Sequence, residues 1–297
     1  LHLGNARTLA LAWWWARARG AELVLRIEDL DHPRKKPGAI EELRADLAWL
    51  GLDFDRETPL QTLRAARHEA LLADLLRRGL AYPCVCTRRD VEEAASAPHE
   101  TPGETAYRGV CRGRFADVAK AARVAGRPPA IRFRVDPRPE RFDDFLAGPQ
   151  ERDAAAEGGD FVIGRADADL SLRPGYQLAV VVDDEDDGVT HVLRGADLLP
   201  SVARQRALQR ALGFRALEYG HAALVVGPDG RRLAKRHGDT RLSALRDAGI
   251  SAAAIWRWIA TSIGFPPLPP SELVRRGFPA VDLPAAPLVP PAELWGR

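Results

Sequence analysis

The stretch "LHLGNARTLALAWWWARARGAELVLRIED" (1–29) decides the fold of this 297-residue chain. Asn5 to Arg19 carries apolar residues in the pattern of a largely buried helix, and Gly20 stands where such a helix stops. "ELVLRIE" (22–28) then reads as a strand with a nearly continuous apolar run, as parallel strands buried on both faces have. The turn "HLGN" (2–5) opens the helix. A helix N-terminus presents unpaired N–H groups and a partial positive charge, so it favours phosphate. Gly4 lets a ligand approach the backbone closely, and His2 can donate to phosphate oxygens. Alone, these four residues are also an ordinary turn before a helix. Such a turn should follow a strand, and the chain contains no methionine; one strand and its loop are therefore expected ahead of Leu1.

Further along, Pro37 starts a predicted helix closed by Gly51, and a second runs from Gln61 to Arg78, closed by Gly79. Residues 1–81 thus read as the first half of a parallel α/β core, with its binding crevice at the strand C-termini. From Tyr82 to Arg127 the texture changes to cysteines, prolines, glycines and short polar stretches, so 82–127 is read as an inserted module. In 128–195, "AIRFRV" (130–135) and "DFVIG" (160–164) read as strands, and "YQLAVVVDDEDDGVTHVLRG" (176–195) returns to the buried-strand style. The second half of the core continues over 196–264. It holds a helix (196–213), a strand "HAALVV" (221–226), a turn "GPDG" (227–230) and two short helices near 240–248 and 251–262. The Pro-rich tail, 265–297, is expected to wrap the surface.

Hydrophobic residues make up 46% and charged residues 28%, a globular profile. No apolar run approaches the ~20 residues of a membrane span, and three cysteines do not make a secreted disulfide framework. A cytoplasmic protein without a membrane partner is expected. A net charge of +2 argues only weakly for nucleic-acid binding, although a local basic face can exist on a near-neutral protein. Arginine outnumbers lysine 39 to 4, so Lys235 in "RLAKRHG" (232–238) stands out. A lysine on such a loop can reach a polyphosphate and stabilise charge that develops in a displacement, a task at which arginine does not always replace a compact ammonium. Alone, the segment also reads as a solvated basic loop.

The pairing of the two signals is more specific. His-x-Gly-x at the first helix and a Leu-x-Lys-Arg-type loop after a late strand resemble the paired signature of class I aminoacyl-tRNA synthetases. "LHLGNARTLALAWWWARARGAELVLRIEDLDHPR", "GYQLAVVVDDEDDGVTHVLRGADLLPSVARQ" and "LAKRHGDT" are similar to the glutamyl group of that class, in order, over most of residues 1–262. The resemblance implies an α/β fold: a Rossmann-type catalytic core with a parallel sheet, an inserted zinc-binding, acceptor-type module and a short C-terminal helical region. It implies activation of L-glutamate by ATP, with Mg2+, to glutamyl-adenylate and pyrophosphate. It assigns ATP to His2, Gly4, Asn5 and Lys235, with His2 and Lys235 catalytic. It assigns the glutamate α-ammonium to Glu28, a substrate carboxylate to Arg194 and a further hydrogen bond to Tyr176. Burying an ammonium and two carboxylates demands opposite charges. Two departures are visible: Arg232 stands where the group usually has lysine, and Ala234 where it usually has serine. The group's first strand also supplies an arginine and a serine ahead of "HLG", positions outside this sequence.

Cys84, Cys86 and Cys111 are the three cysteines, within 28 residues of one another. Three thiolates and one more ligand would close a tetrahedral zinc site; Tyr107 and His99 are the candidates. A phenol is neutral near pH 7, but a bound divalent cation stabilises its phenolate. A shortened branch of the glutamyl group carries Cys-x-Cys and then Tyr-x-x-x-Cys, so the resemblance favours Tyr107 and a structural Zn2+. The span between Cys86 and Tyr107 is longer here than is usual there. That branch lacks the helical anticodon-binding region, for which no room is expected after Ile263. It transfers glutamate to queuosine in the anticodon of tRNA(Asp), and the resemblance implies activation without tRNA, which the longer enzymes need first. L-glutamate and queuosine-bearing tRNA(Asp) are then the partners of a monomer. Arg88, Arg89, Arg108, Arg112 and Arg114 offer salt-sensitive phosphate contacts or a merely solvated basic face. The alternatives are a truncated glutamyl-tRNA synthetase acylating a tRNA 3′ end, a non-catalytic RNA-binding paralogue, and another nucleotidyl-transfer enzyme on the same fold.

Overall fold

Helix α1 spans Leu3–Arg19, and Gly20, at φ +61°, ends it in the left-handed conformation that glycine adopts without strain. Leu3, Ala6, Ala10, Leu11 and Trp14 are buried in it, and so is Arg7. Arg7 donates from Nε to Ser262 Oγ at 2.8 Å and from Nη1 to the Ala223 carbonyl at 3.0 Å, tying α1 to two distant segments. The computed structural model describes residues 1–30, 37–87, 89–91, 107–231, 233, 239–279 and 286–294.

The remaining elements follow in chain order: β1 (Val24–Leu25), α2 (Ala39–Leu50), β2 (Arg56–Glu57), α3 (Ala65–Arg77), β3 (Ala81–Cys84), α4 (Val118–Ala125), β4 (Ala130–Phe133), β5 (Glu140–Asp144), β6 (Gly148–Arg152), α5 (Ala154–Glu157), β7 (Phe161–Ala166), β8 (Leu172–Pro174), α6 (Tyr176–Asp186), β9 (His191–Gly195), α7 (Ser201–Leu212), β10 (Glu218–Ala222), α8 (Leu242–Asp247), α9 (Ala252–Thr261) and α10 (Pro270–Arg276). β1 and β2 pair in parallel. A second sheet has the order β6-β5-β10-β9, with β10 parallel to both β9 and β5 and β5 antiparallel to β6. A third, β3-β4-β7-β8, is wholly antiparallel. Between β1 and β9, beneath α1, lies a cavity of about 330 Å3 lined by Val24, Leu193 and Trp15.

Several sequence expectations change, among them the strand expected at 221–226, which forms over Glu218–Ala222 instead. The run 176–195 is not one buried strand: its first part is helix α6, its end is β9. Three consecutive valines (180–182) imitate a strand, but Leu178 to Asp184 are all buried, as in a helix enclosed on every side. The expected seven-residue strand at 22–28 is paired only over Val24–Leu25. The tail does more than wrap the surface. Leu273 of α10 and Phe278 are core residues, Trp14 Nε1 donates to the Leu273 carbonyl at 3.0 Å, and the Trp14 and Phe278 rings meet edge-on at 5.1 Å. The hairpin β5–β6, between the strands expected at 130–135 and 160–164, brings Asp144 beside Tyr219 of β10.

Candidate active site and metal centre

His2 caps α1: its Nδ1 accepts from the Asn5 N–H at 3.3 Å. A neutral ring that accepts at Nδ1 carries its hydrogen on Nε2, the form that can donate to a phosphate oxygen. Gly4 serves this arrangement, because a Cβ there would lie 3.2 Å from His2 Cε1. The backbone fastens the turn to the far end of the chain: Leu3 N donates to the Thr240 carbonyl at 2.9 Å, and His2 bridges Arg241. Lys235, with Arg232 and Ala234, lies outside the described residues. Leu233, just before it, lines a cavity of about 640 Å3 together with His2, Gly4, Asn5, Thr8 and Arg194. The segments on both sides of Lys235 therefore reach the His2 turn.

Arg194 enters this cavity from β9, with Nε donating to His221 Nε2 at 3.0 Å and Nη2 to the Leu198 carbonyl at 3.2 Å. Glu28 and Tyr176 do not line the cavity but stand nearby in one electrostatic cluster with Arg26 and Asp184. Arg26 donates to Asp184 Oδ1 at 2.7 Å and lies 3.5 Å from Glu28 Oε1. Desolvation pushes the Glu28 carboxyl up; Arg26 pulls it down and Asp184 pushes it up again. Burial likewise raises Asp184, against the pull of Arg26. The cluster thus has net room for one more positive charge. Tyr176 opens α6 and is 41% exposed; desolvation first and Glu28 second raise its phenol, which keeps its hydrogen for donation. Asp183 locks α6 to the preceding layer, lying 2.8 Å from His68 Nε2 and accepting from Gln61 Nε2 at 2.8 Å. Sequence reading missed Arg26, Asp184, Asp144 and His221. Two adjacent acids after a long apolar run, Asp183 and Asp184, were the available signal for one of them.

At the edge of the antiparallel sheet, the sulfurs of Cys84, Cys86 and Cys111 all lie within 4.8 Å of one another. Tyr107 Oη is 3.3 Å from Cys84 Sγ and 3.7 Å from Cys86 Sγ, and the Cys86 and Cys111 sulfurs are 3.6 Å apart. Ligands about 2.3 Å from a tetrahedral zinc are about 3.8 Å from each other, so this donor set fits a metal ion. Gly159 makes the placement of Tyr107 possible: it sits at φ +65°, and a Cβ there would be 2.2 Å from the Tyr107 carbonyl oxygen. Arg132 donates from Nε to Cys84 Sγ at 3.3 Å and lays its guanidinium 3.9 Å from the Tyr107 ring centroid. Its positive charge offsets that of clustered thiolates. Without a metal, burial pushes the Cys86 thiol up to about 11, so metal binding must release protons. His99 and Arg88 lie outside the described residues. Arg112, one of the arginines expected to offer phosphate contacts, donates from Nε to Asp160 Oδ2 at 2.6 Å and from Nη2 to the Val135 carbonyl at 3.1 Å, with its side chain 42% exposed.

The start of α1 and Arg194 line one cavity at the C-terminal end of parallel β9, the place where open α/β sheets bind their ligands. Residues 1–277 match the family model "tRNA synthetases class I (E and Q), catalytic domain", and that is the class of the fold. The chain is 46% identical over 283 residues to a glutamyl-Q tRNA(Asp) synthetase of Rhodopirellula baltica, covering 93% of this chain and 85% of that one. It is 44% identical over 306 residues to the protein of the same name in Symbiobacterium thermophilum, covering 99% and 93%. The chain belongs to the glutamyl-Q tRNA(Asp) synthetase family. In fold it also resembles the crystal structure of a glutamate-tRNA synthetase from Elizabethkingia anophelis, with a TM-score of 0.79 at 24% identity, over 99% of this chain and 66% of that one. Among the described residues no helix is long and apolar enough to cross a membrane.

Proposed function

We propose that this protein activates L-glutamate with ATP and transfers the glutamyl group to queuosine in the anticodon of tRNA(Asp), acting as a cytoplasmic monomer. The observation that carries this reading is the single cavity lined by both the His2–Asn5 turn and Arg194. A site for phosphate and a guanidinium for carboxylate open onto the same space. The names of the relatives support the choice of acceptor.

In this reading the Nε2–H of His2 and the N–H groups of the turn hold the phosphates of ATP, which enters with Mg2+. Lys235 is assigned to them as well; of the described residues on either side of it, Leu233 lines the cavity and Thr240 accepts from the Leu3 N–H. Glu28 takes the α-ammonium, which relieves its crowding with Asp184. Arg194 takes a carboxylate and Tyr176 donates a hydrogen bond. A carboxylate oxygen of glutamate attacks the α-phosphorus, and the bond to the bridging oxygen breaks. Pyrophosphate leaves with charge that His2 and Lys235 stabilise. A queuosine hydroxyl then attacks the acyl carbon, AMP leaves with the electron pair, and the hydroxyl proton passes to the departing phosphate or to solvent. Holding the two groups in contact supplies much of the rate. Cys84, Cys86, Tyr107 and Cys111 would hold a structural Zn2+, since four protein ligands leave no open position for chemistry.

The test is ATP–pyrophosphate exchange by the purified protein. Exchange that requires glutamate and needs no RNA is the expected result. Exchange that appears only on adding tRNA would point to a glutamyl-tRNA synthetase acylating a 3′ end. No exchange under either condition would leave a non-catalytic paralogue.

A further inference from the structure

Arg194 does not stand alone on its strand. Its cross-strand neighbour in the β9–β10 register is His221, whose Nε2 accepts from Arg194 Nε at 3.0 Å. On the other side of the ring, His221 Nδ1 lies 2.5 Å from Asp144 Oδ2. The second oxygen of Asp144 accepts from the backbone N–H groups of His221 (2.9 Å), Leu146 (3.0 Å) and Ala147 (2.8 Å), so the carboxylate cannot turn. The His221 and Asp144 side chains are both wholly buried. A guanidinium only donates and a carboxylate only accepts. A ring held between them must donate from Nδ1 and accept at Nε2, which only the neutral Nδ1–H tautomer does. Burial holds the ring below its ordinary value despite the pull of Asp144, in keeping with that neutral form. Arg194 is thereby fixed along one edge, by His221 at Nε and the Leu198 carbonyl at Nη2. Nη1 and the second hydrogen of Nη2 form the other edge.

We propose that His221, oriented by Asp144, is a positioning residue that aims the outer edge of Arg194 at a carboxylate of the bound glutamate. The proposal rests on the assignment of Arg194 to a glutamate carboxylate made above. It gives the hairpin β5–β6 a purpose in the site: it delivers Asp144 to the ring.

The experiment compares the parent protein with His221→Asn and His221→Gln in glutamate-dependent ATP–pyrophosphate exchange, alongside the 15N spectrum of the parent's histidine rings. Asparagine keeps a donor near Asp144 but loses the acceptor at the ε position; glutamine restores an acceptor there. His221→Asn should raise the KM for glutamate about tenfold or more, as the loss of an aimed, charge-assisted contact does, while leaving the KM for ATP unchanged. His221→Gln should recover most of that loss. The one ring signal missing from the His221→Gln spectrum should show hydrogen on Nδ1 and a bare Nε2. A parental KM for glutamate in His221→Asn, an equal rise in both KM values, failure of glutamine to rescue, or hydrogen on Nε2 would each overturn the proposal. A parent that shows no glutamate-dependent exchange would refute the functional reading itself, and this proposal with it.

Discussion

At the scale of single residues, the phosphate site proposed at the His2 turn rests on only a few adjacent positions. The ring caps α1 through Nδ1 and rests on the bare Cα of Gly4. A methyl group at position 4 would press on the imidazole at 3.2 Å, so the ring must shift by a few tenths of an ångström. Gly4→Ala should therefore raise the KM for ATP about tenfold, a loss of about 1.4 kcal/mol, with the KM for glutamate little changed. Steady-state exchange kinetics check this, and a parental KM for ATP would contradict it. This turn was legible in the sequence because histidine, glycine and a helix start are adjacent in the chain. The companions of Arg194 were not. Asp144 and His221 are 77 residues apart and meet only through strand pairing, and His221 inside "HAALVV" looks like an ordinary core residue.

At the scale of elements, the antiparallel sheet β3-β4-β7-β8 works as a frame for the cysteine cluster. β3 ends on Cys84, β4 carries Arg132 to its sulfur, and the turn before β7 holds Gly159 against Tyr107. Tyr107→Phe should weaken zinc affinity at least about tenfold, by analogy with the effect of perturbing a metal site's ligand environment. Competition with a chromogenic chelator measures it, and unchanged affinity would remove Tyr107 from the ligand set. The spacing of the three cysteines announced this cluster. The sheet under it was less visible, since its partners 81–84 and 130–133 are far apart in the sequence and meet only through strand pairing. Helix α6 misled for a different reason. Its valines have strand-like propensity, and only burial on all sides, with Asp183 and Asp184 paired to His68, Gln61 and Arg26, makes the helix the better solution.

At the scale of the whole molecule, distant segments converge on α1. Arg7 reaches Ser262 and Ala223, Trp14 reaches Leu273, and the Trp13 and Trp256 rings meet edge-on at 5.6 Å. Leu273→Ala should cost about 2–5 kcal/mol of stability in urea unfolding; a midpoint unchanged from the parent would show that α10 does not support the core. Stability should also fall in acid. Hydrogen bonds from His68 and Gln61 hold Asp183 low despite its burial, and those from His221 and nearby backbone N–H groups do the same for Asp144. Both titrate lower in the fold than an open-chain aspartate, near ~3.9. Their contribution is complete above that value and is lost as the pH falls through their folded values. Urea midpoints should accordingly drop steeply below about pH 4, and Asp183→Asn should flatten the slope; a slope like the parent's would contradict this.

The central claim, that the core carries glutamate to an anticodon base and not to a terminal ribose, is tested most directly by locating the product. tRNA(Asp) containing queuosine is charged with labelled glutamate and cut with a ribonuclease, and the fragments are separated. The expected result is label in the fragment bearing the anticodon loop. Label in the 3′-terminal fragment would contradict the claim.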